Sequence, residues 1–262
     1  MTTLATPAMS PADPGQATVA VDAGIATLSF SHPKGNSLPG ALLARLAREV
    51  DALAEREDVR VVVVRSEGTG PFCAGASFEE LQGIADAAAG KEFFMGFARL
   101  ILAMRRCPKP ILTRVHGKAV GGGVGVVAAS DYAMAVETAS VRLSELAVGI
   151  GPFVVGPAIE KKIGAGAFAA MAIDADWRDA RWAARHGLYA TVCPTVAELD
   201  AKVDALAATL ARSNPGALAR IKQVVWADTG HWDELLEERA EMSGTLVLSE
   251  FTRNAIAAFG RK

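Results

Sequence analysis

A chain of 262 residues with 51% hydrophobic and 21% charged side chains is long enough to bury a large core in one α/β domain with a small appendage. Its 27 Lys and Arg against 29 Asp and Glu leave a net charge of −2, no footprint for a polyphosphate backbone, so a nucleic-acid partner is not expected. Cys73, Cys107 and Cys193 lack metal-ligand spacing and read as reduced thiols of a cytoplasmic protein, and no stretch is long and apolar enough to span a membrane, so neither a metal nor a membrane is expected.

Residues 1–16, with Pro7, Pro11, Pro14 and Gly15 and no apolar run, read as a disordered leader, and the absence of Lys and Arg before residue 34 argues against a secretory signal. Residues 17–30 alternate around Asp22, Ala23 and Gly24, which predicts a hairpin. Ser37 is placed to cap a helix carrying Leu42, Leu46, Val50 and Leu53 at helical spacing. Residues 61–64 predict a buried strand, 68–77 a glycine-rich loop, and 78 onward and 93–104 two helical stretches that Pro108 and Pro110 end. Residues 110–115, 132–136 and 140–143 read as strands, with a buried helical turn at 126–129. Asp176 and Asp179 resemble a helix start and Gly187 a stop, and Leu199, Val203, Leu206 and Leu210 make a helical face. Strand–helix units followed by helices alone predict an α/β core over residues 17–195 and a helical part over 196–262.

Two glycine-rich segments, Phe72-Cys73-Ala74-Gly75-Ala76-Ser77 and Gly117 to Gly125, each lie between a predicted strand and a predicted helix. A helix start presents unpaired N–H groups and the positive end of the helix dipole. Small residues there let a carbonyl oxygen approach, so two such starts can form an oxyanion hole. Glu145 sits in LSELAVGIGP, which holds no other charge. Burial there would raise its pKa toward neutrality and fit it for acid/base work; the alternative is a structural carboxylate paired with Arg142 or Lys161.

FCAGAS, HGKAVGGGVG and ASVRLSELAVGIGP, in this order and spacing, resemble the enoyl-coenzyme A hydratase/isomerase (crotonase) family from about residue 17 to 192, and more weakly beyond. The resemblance implies a crotonase-like spiral of repeated ββα units with a helical C-terminal part that trimerises. It implies a homotrimer or homohexamer acting on acyl-CoA thioesters, with coenzyme A as part of the substrate and no separate cofactor. In the family pattern the oxyanion donors fall on Ala76 and Gly122, and the coenzyme A arm on Lys34, Ala74 and Gly75. Gly121, Gly125 and Pro152 complete the implied substrate contacts, and Phe94 or Phe97 is a candidate for the acyl pocket. Glu145, with Gly149 and Pro152 in step, matches one of the two glutamates of family hydratases. Gly125 stands where the other would be.

That departure leaves hydration of a 2-enoyl thioester and 3-to-2 isomerisation open, and a third possibility is that Gly125 makes room for a bulkier acyl group. A non-catalytic acyl-CoA-binding subunit is a further alternative. Gly123, Gly125 and Ala128 also match the dinucleotide pattern G-x-G-x-x-A, which keeps a dinucleotide-dependent oxidoreductase in view. Ser130, His116 and Asp131 would make a triad only without the usual nucleophile context, and Asp131 reads as structural.

Overall fold

The computed structural model describes residues 13–259, so most of the expected leader lies outside the described residues. In chain order the elements are β1 (Gln16–Asp22), β2 (Ile25–Ser31), α1 (Gly40–Glu55), β3 (Val61–Ser66), α2 (Phe78–Gly83), α3 (Ala87–Arg106), β4 (Ile111–Val115), β5 (Ala119–Val120), α4 (Gly122–Ala129), β6 (Tyr132–Val136) and β7 (Ser140–Arg142). Then come α5 (Gly156–Asp174), β8 (Arg178–Asp179), α6 (Ala180–Arg185), β9 (Thr191–Cys193), α7 (Val196–Ala211), α8 (Pro215–Val225), α9 (Trp232–Leu246) and α10 (Glu250–Phe259).

The order within the main six-stranded sheet is β1-β2-β3-β4-β6-β9, and β5-β7-β8 form a small second sheet. The first hairpin turns at Ala23 and Gly24, both at positive φ (46° and 83°), as a two-residue turn between twisted strands requires. From β2 onward the pairing in the main sheet is parallel, and Val61 to Val64 are all buried, the signature of a strand covered on both faces. Helix α7 lies against this sheet through Leu199, Val203 and Ala207. Among the described residues no helix is long and apolar enough to cross a membrane.

Several local expectations change. Ser37 does not cap α1: the Leu38 N–H donates to the Gly75 carbonyl at 2.8 Å, which keeps the backbone extended through Pro39. The Ser37 hydroxyl bonds to His32 Nδ1 at 2.9 Å. The first turn of α1 is instead satisfied by Glu80, whose Oε2 accepts the Gly40 N–H at 2.7 Å. Ser77 caps α2, Asp86 caps α3 and Asp179 caps α6, and Gly187 (φ 85°) follows α6 as the stop. Helix α5, rich in Gly and Ala and broken at Gly164 (φ 78°), carries no apolar periodicity from which to foresee it.

The C-terminal helices are fastened to the core by two devices. Lys222 of α8 is buried and donates to the carbonyls of Met104 (2.8 Å) and Lys109 (3.2 Å) while pairing with Asp131 at 2.8 Å. Asp131 also accepts the Ile111 N–H (2.7 Å) and the Trp226 indole N–H (2.9 Å), the structural role read from the sequence. Second, α3 and α9 cross at paired glycines: a β-carbon on Gly90 would lie 2.7 Å from the Gly244 carbonyl oxygen.

Candidate active site

Both glycine-rich segments follow the C-terminal ends of neighbouring parallel strands, β3 and β4, so the sheet delivers them side by side. There they are stitched together: the Cys73 N–H donates to the Lys118 carbonyl (3.1 Å) and the Val120 N–H to the Cys73 carbonyl (2.9 Å). Gly75 (φ 93°) then turns the first segment so that a β-carbon on it would sit 3.0 Å from the Val120 carbonyl oxygen and 3.9 Å from the Gly122 nitrogen. Gly121 (φ 50°, ψ −115°) precedes α4, and Gly122 is its first residue, whose N–H has no carbonyl within the helix to reach. Among the described residues no acceptor is found for the N–H of either Ala76 or Gly122. Gly122 must be small, because a β-carbon there would enter the ring of Phe97.

Glu145 is delivered by the third motif. A short 3-10 turn, Leu146–Val148, closes on Gly149 in the left-handed region (φ 81°), and the Glu145 carbonyl accepts N–H groups from Val148 (3.1 Å) and Ile150 (2.9 Å). The carboxylate lies against Gly121, where a β-carbon would be 2.9 Å from Oε1. Its Oε2 is out of reach of solvent and has no hydrogen-bond partner. Burial pushes the pKa up to about 7, with backbone N–H groups of Glu145 and Ser144 opposing the rise. Neither suggested structural partner is present: Arg142 donates to the Ala175 carbonyl at 2.6 Å, and Lys161 pairs with Asp228 at 2.6 Å.

These parts surround a cavity of about 70 Å³ lined by Ala74, Gly75, Ala76, Gly121, Gly122, Glu145 and Pro152 among the expected residues, with both Phe94 and Phe97 on its wall. Two expected residues do not line it. Lys34 is exposed and pairs with Glu79 on α2. Gly125 is buried inside α4, where a β-carbon would lie 2.5 Å from Val155 Cγ1, so the space it was expected to open is filled by the Val155 side chain.

The dinucleotide match also dissolves. Gly123 and Gly125 are helical and pack against Cys73 and Val155, leaving no glycine turn to cradle a pyrophosphate. Ser130 donates to the Val127 carbonyl (2.6 Å), and the ring nitrogens of His116 have no partner, so no triad relay forms.

Sequence reasoning missed Val155, Phe153 and Ser243 on the cavity wall, and Asn36 in the loop after β2. Asn36 (φ 57°) accepts the His32 N–H (3.0 Å) and donates to the carbonyls of Glu67 (3.0 Å) and Pro71 (2.9 Å), tying the loop after β2 to the first glycine-rich segment. An Asn in a Gly-Asn-Ser loop is a turn signal that was available. Val155 and Ser243 carry no such signal.

Two unpaired donors and a buried carboxylate around one small apolar cavity can hold a developing oxyanion and move a proton beside it. Comparison with known proteins identifies the family. The sequence profile described as "Enoyl-CoA hydratase/isomerase" matches residues 20–259. A Bacillus subtilis (strain 168) protein named "Probable enoyl-CoA hydratase" is 27% identical over 246 residues, 93% of this chain and 95% of its own. A Streptococcus mutans "Trans-2-decenoyl-[acyl-carrier-protein] isomerase" is 22% identical over 249 residues, 92% of this chain and 94% of its own. The crystal structure of an enoyl-CoA hydratase from Mycobacterium avium superposes with a TM-score of 0.83 at 28% identity, covering 94% of this chain and 96% of that one. The α/β architecture with its helical C-terminal part is the crotonase fold, and the chain belongs to the enoyl-CoA hydratase/isomerase family as an enzyme acting on acyl-CoA.

Proposed function

We propose that this enzyme carries out a one-carboxylate proton transfer beside the thioester carbonyl, and that shifting a double bond from the 3- to the 2-position is the reaction the site serves. The thioester oxygen sits between the N–H groups of Ala76 and Gly122. Glu145 takes a proton from C-2 of a 3-enoyl thioester, the electron pair spreads into a dienolate held by the two donors, and the same carboxyl returns the proton to C-4. No other reactant is needed. One observation carries the choice: Val155 fills the place beside Gly125 where a second carboxylate would stand to help hold an attacking water.

Hydration by Glu145 alone is the second reading, supported by relatives whose names are hydratases. Lys34, Ala74 and Gly75 are the proposed holders of the coenzyme A arm. The small cavity and its Phe94, Phe97 and Phe153 walls favour a short acyl group. Exposed Ile221, Val224 and Val225 on α8 support burial in a homotrimer or homohexamer, and the buried free cysteines fit a cytoplasmic setting. Velocity sedimentation tests the assembly: Val224→Glu should lower the sedimenting mass, and a monomeric parent would overturn it.

The deciding assay gives the purified enzyme 3-enoyl thioesters, watching conjugated absorbance appear, and 2-enoyl thioesters, watching it vanish. Faster turnover of the 3-enoyl series is expected. Faster loss of conjugation would transfer the assignment to hydration, and turnover of neither, across short and branched chains, would end the catalytic reading.

A further inference from the structure

Among the described residues Glu145 Oε2 has no hydrogen-bond partner, so the carboxylate's aim depends on the backbone turn that carries it. That turn ends at Gly149, and Gly149 is held from outside. The Thr252 hydroxyl, fully buried at the start of α10, donates to the Gly149 carbonyl at 3.1 Å. Thr252 is itself fixed by Ser249, whose hydroxyl donates to Thr252 Oγ1 (3.0 Å) and accepts the Thr252 N–H (3.3 Å). The approach is so close that a β-carbon on Gly149 would lie 2.5 Å from Thr252 Oγ1 and 2.5 Å from the Phe251 ring. At its far end α10 receives a bond from Gln82 of α2 to the Ile256 carbonyl (3.4 Å), and α2 begins two residues after Ala76. One helix therefore braces both the turn with the carboxylate and the helix after the first donor.

We propose that Thr252 is a positioning residue for Glu145, setting the carboxylate's place relative to the Ala76 and Gly122 donors through the Gly149 carbonyl. The proposal rests on Glu145 being the acid/base. No other ionisable side chain lines the cavity, so a change in the carboxylate's titration reports its burial rather than a new charge.

The test compares Thr252→Val, Thr252→Ser, Ser249→Ala and Glu145→Gln by kcat, KM and the pH profile of kcat. In Thr252→Val the shape is kept and the donor lost. A misaimed base should lower kcat by about tenfold to a hundredfold, leave KM nearly unchanged, and move the acid limb below the parent's as the carboxylate gains water. Thr252→Ser should restore both the rate and the limb. If Thr252→Val proves unfolded by circular dichroism, Ser249→Ala, which loosens the same hydroxyl without emptying the site, should move the limb in the same direction. Parental kcat and an unmoved limb in the folded variant, with Glu145→Gln inactive, would overturn the positioning role alone. An active Glu145→Gln would overturn the acid/base assignment instead.

Discussion

The Val155 side chain occupies the space that the first side-chain carbon of any larger residue at position 125 would need, 2.5 Å from its Cγ1. The two residues form one steric unit across α4 and the start of α5, and Val155 presents that unit to the cavity. Gly125→Glu alone is expected to destabilise the fold by several kcal/mol, combining overpacking with a buried carboxylate. Gly125→Glu with Val155→Gly should recover part of that loss and raise hydration of a 2-enoyl thioester above the parent. Urea melts and the conjugation assay read both; a folded double variant with no gain would count against the single-carboxylate account.

Glu145→Gln keeps the size of the side chain and removes the base. Loss of a positioned acid/base lowers kcat by roughly 10²–10⁴. In the parent the working base is the ionised form, so kcat/KM should rise with pH through about 7, well above the ordinary carboxylate value. A stopped-flow profile from pH 5 to 9 locates the limb.

The same carboxyl has a consequence for stability. Its folded pKa of about 7 lies above the ordinary glutamate value of 4.5, so between these pH values the folded state holds the proton more tightly than the unfolded state. Stability from this group is therefore greatest below pH 4.5 and falls as pH rises toward 7. Glu145→Gln should be more stable than the parent at pH 8, by on the order of 1–3 kcal/mol, and nearly equal to it at pH 4.5. Chemical denaturation at the two pH values checks the sign.

Buried Lys222 pairs with half-buried Asp131, and each partner has further hydrogen bonds. Lys222→Met removes the cation that pairs with Asp131 and should cost about 1–3 kcal/mol, below the full penalty of a wholly buried charge because Asp131 is half-buried and keeps two N–H donors. Adding Asp131→Asn should return part of that, because the neutral amide still accepts from Ile111 or Trp226. A double-mutant cycle by urea melts gives the coupling.

The three motifs were legible because each is a backbone requirement written in residue types: glycine where φ is positive, small residues where a ring or a loop presses close, and one acid in an uncharged run. Parallel neighbouring strands then bring the first two together, which the strand–helix order already implied. What escaped was reciprocal. Glu80 caps a helix 40 residues earlier, which only tertiary placement reveals. Val155 matters because of Gly125, and neither residue signals the other. Helix α5 has apolar residues all round and a glycine break, so period counting finds no face. Ser37 failed as a cap because Leu38 pairs with the Gly75–Ala76 strip, and that nonlocal bond outweighed a local preference.

The glycine crossing of α3 and α9 reaches further than packing. Gly244 is preceded along α9 by Ser243, which lines the cavity, while α3 contributes Phe94 and Phe97 to the same lining. The spacing of these two helices thus bears on the shape of the cavity. A methyl at position 90 would lie 2.7 Å from the Gly244 carbonyl oxygen, so the two helices could not keep their present spacing. The crossing therefore couples the packing of the C-terminal helices to the shape of the cavity wall.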